Sequence, residues 1–180
     1  MSETNEHAFM GEEFLTWLWY RTETKKATFP LENGDQIGIA LDDLLVFGGA
    51  DENEMQQTLR HGMPTRAMEA AAALKAGKRL RKAKMILAEG NEQWSFTLDG
   101  ATLAFSSVRC PEPDDDDDAS EGSPTPQDID SERMDAFSRL AQHFDGVYRI
   151  FLRDRLREEW EQSTLQEIRH WIDHKEGERV

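Results

Sequence analysis

Cysteine and long apolar runs are the scarcest features of this 180-residue chain. Cys110 is the single cysteine, so an internal disulfide is excluded and a reducing compartment is expected. No apolar run approaches the roughly 20 residues that a membrane-spanning helix needs. The start, residues 1–7, is polar and acidic and lacks the apolar core of a signal peptide. The sequence therefore predicts a soluble, cytoplasmic protein without a membrane partner.

Positive charge is also in short supply. The chain has 36 Asp and Glu against 21 Lys and Arg, a net charge of -15, and most of the excess lies after residue 110. Residues 111–127 contain four prolines and the five consecutive aspartates Asp114–Asp118. Such a stretch cannot bury enough apolar surface to order itself, so it predicts a disordered acidic linker.

The periodicity of apolar residues predicts an α+β fold. We expect a mainly antiparallel sheet with helices at the N-terminus, in the middle and at the C-terminus. Asn33-Gly34 and Asp99-Gly100 predict tight hairpin turns, and residues 64–75 predict the middle helix. Residues 44–47 are expected to form a separate short strand. Three regions follow: an α+β domain over 1–110, the linker over 111–127, and a C-terminal helical region over 128–180 that packs on the first.

The first helix is apolar around most of its circumference. Such a helix is buried on two sides, by its own domain, by another segment or by another subunit. If the second side faces another copy of the chain, large apolar residues form the interface of a homo-oligomer: Phe14, Trp17, Leu18 and Trp19. A second amphipathic helix is predicted over 129–160, with a kink or division at Asp145-Gly146.

A dense block of cations stands out against the acidic background. Six lie within ten residues with no acid among them: Lys75, Lys78, Arg79, Arg81, Lys82 and Lys84. The pattern predicts contact with DNA phosphates without sequence preference. A solvated strand whose lysines discourage edge pairing, or an acidic protein partner, would give the same pattern. The run Asp114–Asp118 is a further candidate partner within the chain.

Strand alternation divides these cations between two faces. Arg79 and Arg81 share a face with the apolar residues of the strand, and Lys82 and Lys84 occupy the other. We expect reversal of Arg81, Lys82 and Lys84 to glutamate to abolish DNA binding while leaving the fold intact.

No catalytic, metal or cofactor site is predicted. His170 and His174 have the spacing of metal ligands on a helix, but no His-Glu-x-x-His pattern accompanies them. Cys110 has no nucleophile signature around it. Trp94 and Phe96 share a strand face and are suited either to base stacking or, more commonly for such residues, to core packing.

Several short features, taken in order, resemble one family, the recombination-associated protein RdgC. They are the helix Glu13–Tyr20, the step Ala76-Gly77-Lys78 into a strand, the hairpin at Trp94–Phe96, the segment Asp128–Asp130 and the segment His143–Asp145. The likeness covers roughly residues 9–110 and 128–172. The family's N-terminal region has no counterpart here, and Asp114–Asp118 looks like an insertion.

The resemblance implies a non-enzymatic protein that binds duplex DNA with little sequence preference, forms a ring-shaped homodimer and restrains the recombinase RecA. We therefore expect a DNA-associated regulator with DNA, a second copy of the chain, and a basic or recombination protein as partners. The alternative is an acidic protein–protein interaction module that regulates a basic partner.

Overall fold

The computed structural model describes residues 6–25, 27–49, 56–111 and 126–177. Within these ranges an antiparallel six-stranded sheet is joined by α-helices at the start, middle and end of the chain. This confirms the predicted α+β fold. None of the helices in the described ranges is both long enough and apolar enough to cross a membrane. Most of the predicted linker, residues 112–125 with Asp114–Asp118, lies outside the described residues.

The sheet consists of the strands β1 Thr28–Pro30, β2 Gln36–Gly48, β3 Gln57–Arg60, β4 Arg79–Glu89, β5 Glu92–Asp99 and β6 Phe105–Arg109. Their order is β1-β2-β4-β5-β6, and β3 pairs with β2 on the same edge as β1. Residues 44–47 are not a separate strand, because they continue β2. The hairpins predicted at Asn33-Gly34 and Asp99-Gly100 are both present.

Four α-helices are described: α1 Glu6–Thr24, α2 Met68–Lys75, α3 Pro126–Arg155 and α4 Leu165–His174. A short 3-10 turn precedes α2, and a π-helical turn precedes α4. Helix α3 runs through Asp145-Gly146, so the predicted division of the helix at this point is wrong. Gly146 instead lets the chain next to β1 approach the helix, because a Cβ there would lie 2.8 Å from the side chain of Leu31.

The core lies between one face of the sheet and the helices α1 and α3. Met85, Leu87, Trp94 and Phe96 point into it from β4 and β5 and are fully buried. The indole Nε1 of Trp94 donates a hydrogen bond of 2.9 Å to the carbonyl oxygen of Ala136 in α3. Trp94 and Phe96 therefore serve the core, and no ring face is left on which a base could stack.

Helix α1 is covered on both sides by its own chain. Phe14, Trp17, Leu18 and Trp19 have no exposed surface. The sheet lies against one side of the helix and α3 and α4 lie against the other, so Trp17 contacts the ring of Phe151 and Trp19 contacts that of Trp171. The predicted interface at these four residues is wrong, because the C-terminal helices occupy the side that another copy of the chain would need.

Candidate nucleic-acid interface

The two faces of β4 follow the predicted alternation from Lys82 onward. Ala83, Met85 and Leu87 face the core, and Lys82 and Lys84 lie on the opposite face. Before that point a register shift adds one residue to β4, because Val46 of β2 pairs with Lys82 and Phe47 pairs with Leu80. Leu80 is therefore buried in the core, and the prediction that its neighbour Arg79 shares the face of Ala83 is wrong.

The first two cations of β4 hold the sheet against helix α1. Glu12 is buried, and its carboxylate lies 3.5 Å from Nη1 of Arg79 and 3.5 Å from Nε of Arg81. Arg81 also donates a hydrogen bond of 2.8 Å from Nη2 to the carbonyl oxygen of Gly49. Two guanidinium groups compensate one buried carboxylate, as a buried charge requires. A Cβ on Gly48 would overlap the side chain of Arg81, so the glycine leaves room for this guanidinium group.

The lysines on the other face are also ion-paired. Lys82 Nζ lies 2.9 Å from the carboxylate of Asp99, and Lys84 Nζ lies 2.9 Å from the carboxylates of both Asp42 and Asp43. The two aspartates belong to a bulge in β2, where residues 42–44 stand opposite a single residue of β4. Hydrogen bonds to Asp42 and then Asp43 raise the pKa of Lys84, and the Lys84 hydrogen bond lowers the pKa of Asp43.

Asp99 is held in its charged form by several donors. Burial raises the pKa of Asp99, but the hydrogen bond from Lys82 and those from the amides of Ala101 and Thr102 outweigh it, and the net direction is downward. Asp99 thus forms an ion pair with Lys82 and stabilises the turn into β6 by accepting hydrogen bonds. Arg81, Lys82 and Lys84 are internal ion-pair partners, and their reversal would place carboxylates against carboxylates. We therefore expect this triple change to destabilise the fold, contrary to the expectation from the sequence.

We expect the substitution Lys84→Met to lower the urea midpoint of unfolding at neutral pH, because it leaves Asp42 and Asp43 facing each other. A lowered carboxyl pKa contributes stability above its unfolded value, near 3.8 for Asp43, and this is lost as the pH falls through the folded value. The difference between wild type and variant should therefore vanish in acid. A difference that persists at pH 2 would show that the loss comes from packing instead.

A second group of cations lies just before β4. Residues 57–78 hold four Lys or Arg and one acid, Glu69. No ion pair joins these four cations to any residue within the described ranges, and Lys78 makes only a hydrogen bond of 3.4 Å to Gln57 of β3. We call this set the cationic edge: Arg60, Arg66, Lys75 and Lys78.

Three members of the cationic edge, Arg60, Lys75 and Lys78, lie near the edge strand β3, and Arg60 lies on the face of β3 opposite to Gln57. The contact between Lys78 and Gln57 places the end of α2 beside β3, which is an edge strand. Arg60 lies about 10 Å farther along that strand, at 3.3 Å per residue. The high density of cations in the sequence directed the prediction to β4. Arg60 and Arg66 were missed because several residues separate them from each other and from the dense block.

The other predicted candidates show no organised chemistry. The rings of His170 and His174 lie 4.0 Å apart on α4, but Nδ1 of His174 is hydrogen-bonded to the carbonyl oxygen of His170. Cys110 is a half-buried free thiol, and its sulfur makes no hydrogen bond to a described residue. Of the described residues, one group has its ligand atoms close enough together to hold a metal ion: Asp35, Glu89 and His143.

Comparisons with protein-family models, with curated proteins and with solved structures found no match for this chain. The likeness to RdgC stays a prediction from the sequence.

Proposed function

We propose that the protein is a non-enzymatic, DNA-associated regulator that contacts phosphate groups without sequence preference through the cationic edge. The observation that supports this is the contrast between two sets of cations. Those of β4 are paired with acids of the same chain, whereas the cationic edge has no ion pairs with described residues. The sequence likeness to RdgC points to the same class of ligand.

Pairing decides which cations are available to a phosphate. A lysine or arginine that is already neutralised must lose its internal acid before it contacts DNA, and that acid then repels the phosphates. A cation without such a partner exchanges only water and salt ions, and release of the DNA counterions favours the complex. Arg60, Lys75 and Lys78 are therefore better placed for DNA than Lys82 and Lys84. The net charge of -15 should keep the affinity weak.

We expect labelled random-sequence DNA, duplex or single-stranded, to bind at 50 mM salt and to be released as the salt rises. If three to four phosphates are contacted, the affinity for duplex DNA should fall roughly 40- to 150-fold between 50 and 200 mM salt, and that for single strands roughly 20- to 50-fold. The triple change Arg60→Glu, Lys75→Glu and Lys78→Glu should lower the affinity at least about tenfold and reduce this salt dependence. Fluorescence anisotropy measures both quantities.

The control carries the same change of charge elsewhere on the surface. Arg133→Glu, Arg157→Glu and Arg169→Glu alter exposed residues of α3, of the segment after it and of α4. Equal losses of affinity in the two triple variants would reduce the effect to overall charge and contradict the cationic edge as the contact surface. No detectable binding of wild type at 50 mM salt would overturn the proposed function.

The exposed start of α3 favours a second candidate, binding of a basic protein segment. The side chains of Met134 and Phe137 are 67% and 42% exposed, one helical turn apart, and Glu132 and Asp135 beside them are exposed. Apolar residues flanked by acids suit a basic amphipathic helix. A labelled Lys/Leu helical peptide in the same anisotropy experiment separates the candidates, because only this one predicts that the peptide binds more tightly than DNA.

A further inference from the structure

Three side chains from three different elements meet near the middle of helix α3. Asp35 comes from the turn between β1 and β2, Glu89 from the end of β4, and His143 from α3. Their ligand atoms all lie within 4.8 Å of one another. Nε2 of His143 lies 2.9 Å from the Glu89 carboxylate, and His143 is only 5% exposed. One imidazole nitrogen and two carboxylate oxygens therefore point to the same small volume.

The surrounding packing holds these groups in place. The ring of His143 meets Trp94 edge-on, with centroids 5.7 Å apart. Leu31 reaches α3 through the space that Gly146 leaves open, and this seats the β1–β2 turn on the helix. The amide of Asp35 donates a hydrogen bond of 3.1 Å to the side-chain oxygen of Asn33, which fixes the turn. Groups that rigid elements position in this way are preorganised for a common ligand.

The charges of the three groups call for a cation. Two carboxylates this close repel each other unless a positive charge lies between them. Arg139, one turn before His143 on α3, already donates hydrogen bonds to both carboxylate oxygens of Glu92. A bound metal ion would place a positive charge between the carboxylates. The charges of Asp35 and Glu89 together match a divalent cation.

We propose that Asp35, Glu89 and His143 bind one zinc ion. Mixed imidazole and carboxylate ligands suit zinc, whereas calcium and magnesium prefer oxygen ligands alone. In a tetrahedral zinc site with bonds near 2.0–2.1 Å, the ligand atoms lie about 3.3 Å apart. The contact between His143 and Glu89 must open by a few tenths of an ångström, and Asp35 must move inward. Three protein ligands leave a fourth position for water or for a partner's side chain.

Zinc titration of the chelator-treated full chain tests the assignment by calorimetry. The same titration on a variant with Asp114–Asp118 replaced by serine removes weak binding to the acidic run. We expect one zinc ion per chain in both proteins. His143→Asn and Asp35→Asn should each weaken the affinity at least about tenfold, because each removes one of three ligands. His170→Ala with His174→Ala is the matched control and should leave it unchanged.

Folding is checked for each variant by circular dichroism in the presence of chelator. Asp35 lies in a turn outside the core, so Asp35→Asn decides the question if His143→Asn fails to fold. Histidine ring NMR of wild type should show Nε2 of His143 as the nitrogen that shifts with zinc. Zinc affinity that survives Asp35→Asn, zinc lost only with His170 and His174, or equal affinity for magnesium would each overturn the assignment. So would the absence of saturable binding.

Discussion

The substitution Gly11→Ala is expected to lower the free energy of unfolding by about 3 kcal/mol or more. Helix α1 passes the turn between β5 and β6 so closely that a Cβ on Gly11 would overlap the carbonyl oxygen of Gly100 and lie 2.8 Å from its carbonyl carbon. Both atoms belong to the backbone and cannot rotate away. The turn is also tied to β4, because the amide of Gly100 donates a hydrogen bond of 2.7 Å to the carbonyl oxygen of Arg81.

Relief of that overlap requires the whole helix to move. Phe14 and Leu15, one turn further along α1, are fully buried, and the side chain of Leu15 packs against Gly100. A shift of α1 therefore opens gaps between the helix and the sheet, and lost packing in a close-packed core is expensive. Urea unfolding followed by circular dichroism measures the loss.

Gly146→Ala provides the matched comparison, because it is also a glycine-to-alanine change inside a helix. The new Cβ would meet only the side chain of Leu31, which can adopt another rotamer. Alanine favours the helix by about 1 kcal/mol over glycine, so the net change should stay within about 1 kcal/mol. Equal destabilisation by Gly11→Ala and Gly146→Ala would contradict the contact-based explanation and indicate a general intolerance of the helices.

The second large effect is expected at Lys175, just after α4. Its side chain is 6% exposed, and its ammonium lies 2.8 and 2.6 Å from the two oxygens of Glu23. The same ammonium lies 4.6 Å from the ring centre of Trp19 and 4.9 Å from that of Trp171. Lys175→Met keeps the apolar stem and removes the charge. We expect a loss of about 2–3 kcal/mol, because a partly buried carboxylate is left without its cation.

A double-mutant cycle separates the charge pair from packing. Glu23→Gln removes the other charge, and the double variant Glu23→Gln with Lys175→Met leaves no buried ion unpaired. The double variant should therefore be more stable than the sum of the single losses predicts, by about 1 kcal/mol or more. Strict additivity would mean that Lys175 acts through its stem alone.

The local features of the fold could be predicted from the sequence because they depend on neighbouring residues. Asn33-Gly34 favours the positive φ angles of a hairpin turn, and Gly34 has a φ of +94°. The alternation in β4 likewise places Lys82 and Lys84 on the face opposite Ala83 and Met85. By contrast, the sequence gives no indication that a bulge in β2 would direct Asp42 and Asp43 at Lys84, since the partner strand is distant along the chain.

The candidate sites depend on such distant pairings. The sequence suggests that the whole cationic block is free to bind a ligand, whereas the structure places Glu12 beside Arg79 and Arg81. In the sequence, His143 is one residue of an amphipathic helix. Only the folded structure places Glu89 and the β1–β2 turn beside it. Neither juxtaposition leaves a local pattern, because both arise from how helices α1 and α3 lie on the sheet.

The covering of helix α1 by the last helices has a consequence for synthesis on the ribosome. Phe14 packs against Phe151, and Trp19 packs against Trp171, so the residues that shield the first helix are translated more than 130 residues later. At about 5–20 residues per second, the interval is roughly 7–30 s. During that time the most apolar segment of the nascent chain has no native cover on one side. A chaperone that binds exposed apolar helices should therefore contact α1 during translation and leave once α4 has emerged.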